Sequence, residues 1–416
     1  MVSAPKKIAI IGGGAAGFFA ALRCGAVARE KGRPVEISIF ESSSQFLRKV
    51  KISGGGRCNV THNQFDPREL CQNYPRGQRE LLSPFHQFQA ESTVDWFRKR
   101  GVELKAEADG RMFPITDSSS TIIDCFMREA EKLAIRLCPK SSVKALKRLE
   151  DGKLSLHINQ DETFLADALL IATGSMPGGY RLAKSVGHAV TDLAPSLFTF
   201  KIQDPLLEGL SGTSFESTKL QLKVGKAKPF LQDGPLLITH WGLSGPALLK
   251  LSAWAAREMM AEGYSAELKV NWLGFAKIGE VEQTLAKIRN DHPKMQIGNT
   301  VPEGLTKRFW QQFLEVNQIT TDRRWAELPK KQWRRMVDQL FSTSLKVSGK
   351  SRFKEEFVEC GGIDLKEIHF KTMESKVCPG LHFAGEVMDV DGITGGFNFQ
   401  NAWTSGWIAG SHMAGS

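Results

Sequence analysis

"KIAIIGGGAAGFFAAL", residues 7–22, decides the fold. Ile8 to Ile11 form a continuous apolar run, as suits a parallel strand buried on both faces. Gly12-x-Gly14-x-x-Gly17 follows and opens a helical stretch that closes at Gly32. "VEISIF" (35–40) reads as a second strand, with Glu41 at its end. In such a strand–helix–strand unit Gly12 allows the tight turn, Gly14 lets a pyrophosphate approach the backbone, and Gly17 lets helix pack on strand. The phosphates then face the positive end of a helix. Glu41 is placed to accept hydrogen bonds from a ribose diol. Strand, helix, strand and acid together predict a bound dinucleotide. The apolar run behind Lys6 and Lys7 imitates a secretory signal, but glycine turn chemistry interrupts it, and we read it as fingerprint instead.

Outward from this unit, residues 42–75 are rich in Gly, Asn and Ser and predict a long functional loop. Helical patterning returns at 92–100 and 118–137, with Ser118 to Ser120 as candidate N-caps. From Ser141 to Ala172 short strands turn at Asp151-Gly152 and end in "IATGS" (171–175). "FTFKI", "KLQLKV" and "PLLITHWG" predict antiparallel strands, and "PALLKLSAWAAREMM" an amphipathic helix. Residues 276–341 become mostly helical, with Trp310, Trp325 and Trp333 expected in a core. "GLHFAGEVMDV" is a strand and turn feeding a last helix from Phe399 or Gln400. The tail "GSHMAGS" (410–416) is small and polar and is expected to fray. Dinucleotide-type text at both ends predicts one nucleotide-binding domain, 1–194 and 356–416. Its insert divides into strand text (195–275, 342–355) and a helical part (276–341). No internal repeat is visible.

Two late segments favour FAD over NAD. "IATGS" lets chain pass close to a ligand at Thr173 and Gly174. Gly385-Glu386 follows a strand and suits a ribityl hydroxyl. Gly395-Gly396 precede a helix whose N-terminus suits a flavin edge that gains negative charge on reduction. His240, in "LITHWGLSGP", is the side chain best placed in the sequence for proton transfer; a buried core histidine is the competing reading.

Seven cysteines with no CxxC pair predict reduced thiols, no zinc site and no dithiol couple, and the nine histidines show no ligand spacing. Metal is not expected. No segment reaches the ~20 apolar residues of a membrane span. The chain reads as cytoplasmic. Its net charge is +10, from 55 Lys and Arg against 45 Asp and Glu. Twelve of the cations fall between Lys307 and Lys354, against Glu315, Asp322, Glu327 and Asp338. That segment is either a solvated helical face or a footprint for a polyanion such as RNA.

"SGGGRCN" (53–59), "THWGLSGPALL" and "GLHFAGEVMDVDGITGGFNFQNAWTSG" closely resemble the FAD-binding flavoproteins grouped with aminoacetone oxidase and a bile-acid dehydro-reductase. The resemblance spans nearly the whole chain. It implies an α/β protein with a two-dinucleotide-binding-type, Rossmann-like FAD domain and inserted β-barrel-like and small helical domains. It also implies that FAD touches the turn Gly12, Gly14, Ala15, Ala16 and Gly17, then Glu41, Arg48, Lys49 and the loop Ser53 to Asn59. Thr173, Gly174, Gly385, Glu386, and Gly395, Gly396, Phe397 and Asn398 complete the set, with Val143 near the adenine. On this reading Gly54, Gly55 and Gly56 run against the pyrophosphate and ribityl chain, and Arg57 and Asn59 add hydrogen bonds. Cys58 lies beside the flavin in a packing role, having no resolving partner.

A flavin carries the hydride chemistry and the protein selects the partner. A second GxGxxG after a strand is absent from the sequence, so NAD(P)H would act as a transient donor. One reading is a reductase of an activated C=C bond, in a small molecule or in uracil of RNA. The second is an amine oxidase using oxygen, and the third a flavin-containing RNA-binding protein without catalysis.

Overall fold

A computed structural model describes residues 4–351 and 358–415. The chain forms two compact units, Met1–Leu193 with Val358–Ser416, and Ala194–Phe357.

The first unit is built on a seven-stranded sheet. Its order is Ile368–His369, Glu374–Ser375, Leu381–Phe383, Ala168–Ile171, Lys6–Ile11, Val35–Phe40 and Arg136–Cys138. The last five are parallel to one another, and the first two join them antiparallel. Ile8, Ala9 and Ile10 are fully buried, as a central strand covered on both faces requires. Ala168–Ile171 is entered from a small antiparallel sheet, Val143–Arg148, Leu154–Ile158 and Glu162–Ala166, whose first turn holds Asp151 and Gly152.

The fingerprint helix Ala15–Glu30 lies against the C-terminal helix Phe397–Gly415. A side chain at Gly406 or Gly410 would strike the Ala16 or Ala20 carbonyl oxygen at 2.7 and 2.3 Å, so these positions set the close approach. Phe19, Trp96, Phe126 and Trp403 fill the space alongside as one aromatic cluster.

Three expectations change here. The stretch 42–75 is not one long loop: it holds the helices Arg48–Ile52 and Pro67–Cys71, a tight turn Ser53–Gly56 and the short strand Thr61–His62. Asp66 starts the second helix by accepting from the Arg68 and Glu69 amides, with Pro67 at its first position. The final helix begins at Phe397 rather than Phe399 or Gln400. Its tail does not fray before Gly415. Lys6 Nζ donates to the Met413 carbonyl (3.0 Å), and Arg33 Nη1 donates to those of Ala414 and Gly415 (3.2 and 2.6 Å). These are helix-end carbonyls without intrahelical partners, and cations are their favourable company.

His382, buried in Leu381–Phe383, meets His412 of the last helix, Nε2 to Nδ1 at 3.0 Å. Burial, with the neighbouring His412, pushes its pKa down to about 4, against the pull of Glu374 upward. The unfolded chain therefore takes up this proton near pH 6.5, before the folded protein does. The stabilisation is complete above pH 6.5 and is lost as pH falls from there to about 4. We expect unfolding free energy to drop across that window with a His382-dependent slope of at most about 1.4 kcal/mol per pH unit. Urea titrations of wild type and His382→Leu check this; equal slopes in the two would remove it.

The second unit holds a closed barrel of six strands. Around it run Phe200–Ile202, Gly242–Ser244, Phe230–Thr239, Ser214–Lys223, Ala266–Asn271 and Thr343–Lys350. The expected amphipathic helix is two, Pro246–Trp254 and Ala256–Ala261, broken at Ala255. Helices Ile278–Asp291, Lys307–Val316 and Lys330–Phe341 follow, and their apolar faces share one continuous core with the barrel strands. Trp310, Trp325 and Trp333 lie in that core. Arg352, Lys354, Glu355 and Glu356 lie outside the described residues. No helix among the described residues is long and apolar enough to cross a membrane.

Candidate functional site

The fingerprint turn shows which glycines serve the protein and which leave room. Gly12 has φ +110°, and a Cβ there would sit 2.4 Å from the Ala172 carbonyl oxygen. A Cβ on Gly17 would sit 2.0 Å from the Gly12 oxygen, so helix and strand meet at this point. Gly14 is different: a Cβ there meets nothing within 4 Å. It is the N-cap of the helix, no side chain caps it, and the first turn carries no acid. Free amide donors and the positive end of the helix therefore open onto empty space. Ala15 and Ala16 begin the helix, and Ala16 Cβ lies 3.0 Å from where Gly385 would carry one. The first and last parts of the chain meet there.

Glu41 Oε2 accepts from the Gly13 amide (2.9 Å) and Oε1 from the Ser43 amide (2.8 Å). Oε1 also accepts from the Ser42 hydroxyl at 3.3 Å, so these bonds orient the carboxylate and leave Oε2 a further lone pair. Ser141 donates its amide to the Glu41 carbonyl (2.7 Å), which brings Val143, at the start of its strand, close in the chain.

Three segments converge on Glu386. Lys49 Nζ donates to its Oε2 at 2.6 Å, and its Oε1 accepts from the Glu359 amide at 3.1 Å. A Cβ on Gly174 would lie 3.4 Å from Glu386 Oε2 and 4.0 Å from Lys49 Nζ. Arg48 is exposed beside Lys49. The Thr173 hydroxyl is buried with no partner, an orphan a bound ligand can satisfy.

The glycine triplet takes its meaning from backbone angle. Gly54, Gly55 and Gly56 have φ of +58°, +68° and +84°, a left-handed run that side-chain-bearing residues rarely follow. At Gly55 and Gly56 an added Cβ meets only open space. Ser53 starts the turn, donating its hydroxyl to the Val50 carbonyl (2.9 Å). Arg57 turns toward protein: Nη1 donates to Glu107 Oε1 at 2.6 Å and the guanidinium lies over the Phe113 ring at 3.9 Å. Cys58 is fully buried, and burial pushes its thiol up to about 12, so it is not a nucleophile near neutral pH. Asn59, its amide oriented by its neighbours, donates to the Thr61 carbonyl and accepts from the Gly396 amide, both at 3.0 Å. It fastens the triplet loop to the C-terminal loop.

Gly395 and Gly396 lead into the last helix with φ of +136° and +91°. The Asn398 side chain closes the loop, accepting from the Gly392 amide (2.8 Å) and donating to its carbonyl (2.9 Å). Phe397 stacks on His62 with ring centroids 4.8 Å apart. Three supports are not evident in the sequence. Phe46 covers Gly13; Tyr74 donates its hydroxyl to the Phe397 carbonyl (2.6 Å); Arg76 pairs through two nitrogens with the buried Asp391. No local motif marks such side chains: the partners of Tyr74 and Arg76 lie more than 300 residues along the chain, and Gly13 lies 33 residues before Phe46. His240 is not a core histidine. It sits exposed on the turn after Phe230–Thr239, in the barrel unit, edge-on to Trp241 at 4.2 Å.

The family described as "HI0933-like protein Rossmann domain" matches residues 6–412. The chain belongs to this family. A ribosomal RNA dihydrouridine synthase of Escherichia coli is 31% identical over 97% of this chain and 97% of its own length. A 3-dehydro-bile acid Δ4,6-reductase of Clostridium scindens is 28% identical over 98% of this chain and 99% of its own. The fold is shared with the 3-ketosteroid Δ1-dehydrogenase of Sterolibacterium denitrificans, at 12% identity and TM-score 0.51 over 98% of this chain and 99% of that one. The protein is an FAD-dependent oxidoreductase of this family. Its residues fit that cofactor. The open cradle at Gly14 suits the pyrophosphate, Glu41 the ribose, and Glu386 with Lys49 and Thr173 the chain between pyrophosphate and flavin.

Proposed function

We propose that this flavoprotein reduces an activated C=C bond, and that the bond is C5=C6 of uracil in ribosomal RNA. The observation that carries the reading is end-to-end similarity to an rRNA dihydrouridine synthase, with 31% identity and no part of either chain left over beyond a few per cent. Bound FAD, reduced by NAD(P)H, would supply the hydride. The chain's own residues bind and orient. Free amides at the start of the Ala15–Glu30 helix meet negative charge, and Glu386 is held in place by Lys49 and the Glu359 amide. The buried, protonated Cys58 leaves thiol exchange out of the scheme. Reduction of uracil adds one hydride and one proton, giving 5,6-dihydrouracil with no group leaving. His240, exposed on its hairpin turn, is the candidate for that proton.

The test is incubation of the FAD-loaded protein with unmodified ribosomal RNA and NADPH or NADH, followed by mass spectrometry of the nucleosides. Dihydrouridine at one position, dependent on a nicotinamide donor, is the expected result. Flavin bleaching by simple amines with oxygen consumption, and no dihydrouridine, would replace this reading with the amine oxidase.

A further inference from the structure

We infer that the exposed face of the helix Lys330–Phe341 is the surface on which the sugar–phosphate backbone of the RNA substrate docks, an inference that rests on the proposed function. One side of this helix, Trp333, Met336, Val337 and Leu340, is buried in the core of the barrel unit. The other carries Lys330, Lys331, Arg334 and Arg335, all exposed. The spacing is i, i+4 twice over, which stacks the cations in two adjacent columns on one face. With Asp338 and Gln339 they line a concavity of about 490 Å³.

A solvated helix face is the plain alternative, and three observations weigh against it. On the solvated face of Ser119–Lys132 the cations are paired: Lys132 sits 2.8 Å and Arg128 3.8 Å from Glu129. Among the described residues, none of the four cations of Lys330–Phe341 has an ion-pair partner. Second, the cations stand in the first half of the helix, whose N-cap is Pro329 with no side-chain bond and whose first turn has no acid. Lys330 and Lys331, in the first turn, oppose the helix dipole, so helix stability does not account for them. Third, residues 323–335 hold six cations, Arg323, Arg324, Lys330, Lys331, Arg334 and Arg335, against Glu327 alone. Unpaired, repelling cations persist where an external polyanion neutralises them and counterion release drives the binding.

The anion is RNA rather than a membrane. A helix that lies on lipid sets large apolar side chains beside its cations. The exposed large apolar residues of the described chain include none on this helix.

The test uses the full-length, FAD-loaded protein and a ribosomal RNA transcript, with Arg334→Glu/Arg335→Glu compared with Lys226→Glu/Lys228→Glu. The control pair is exposed on a turn of the same unit and makes the same change in net charge. We expect the first variant to lose at least about tenfold in RNA affinity, and its salt slope to shrink by about 1.5–2. The control should stay near wild type, and both variants should keep their flavin spectrum and melting temperature. With dihydrouridine as readout, KM for RNA should rise while kcat at saturating RNA holds. RNA affinity and salt slope equal to the control overturn the inference, as does loss of binding to anionic phosphatidylglycerol vesicles by a protein that never bound RNA. Absence of dihydrouridine from the wild type, with the affinity difference intact, would count against the proposed reaction and not against this surface.

Discussion

Gly12→Val is expected to cost the protein about 2–6 kcal/mol, enough to leave much of it insoluble. Two penalties fall on one residue. A φ of +110° is a conformation a β-branched side chain resists, at roughly 1–3 kcal/mol. The added Cβ also lands 2.4 Å from the Ala172 carbonyl oxygen, and that oxygen belongs to backbone that cannot step aside. Overpacking of this kind costs about another 1–3 kcal/mol. Set against a total stability of about 5–15 kcal/mol, the sum is a large share. Urea unfolding of whatever soluble protein is recovered provides the number. A variant within about 1 kcal/mol of wild type would show that the turn does not have this geometry.

Gly14→Leu, two residues on, is expected to do the opposite. Its backbone sits at φ −92°, ψ −166°, which any residue adopts, and its Cβ position faces empty space. The fold and melting temperature should survive. FAD should not, because the leucine fills the space in front of the free helix amides where the pyrophosphate belongs. A loss of at least about 100-fold in FAD affinity, near 2.7 kcal/mol, is the expected outcome. Titration of the deflavinated variant with FAD, followed by flavin fluorescence, measures it. A yellow Gly14→Leu protein with unchanged affinity would move the cofactor away from this turn. The pair separates two roles that one motif merges.

Much of the cradle was legible because its chemistry is local. Gly12, Gly14 and Gly17 lie within one turn, and Glu41 ends the next strand, so spacing alone conveys their arrangement. Glu386 was legible for the same reason, as the residue after a glycine at a strand end. The resemblance implies that Arg57 and Asn59 contact the ligand. Their partners in the structure, Glu107 and Gly396, are 50 and 337 residues away, and no pattern within the loop announces them. The tail differs from the frayed end its sequence predicts for a related reason. "GSHMAGS" has weak helix-forming text, and Lys6 and Arg33, almost four hundred residues earlier, hold its carbonyls.

By itself the sequence determined the strand–helix–strand unit, the dinucleotide class and the surplus of positive charge, all properties of neighbours in the chain. Tertiary structure alone decided which amides, carboxylates and hydroxyls stay free for a ligand. It also decided which cations stand without a counter-charge. The reason is physical: whether a polar group is spent or available depends on what folding brings within about 3 Å of it, and that is a long-range matter.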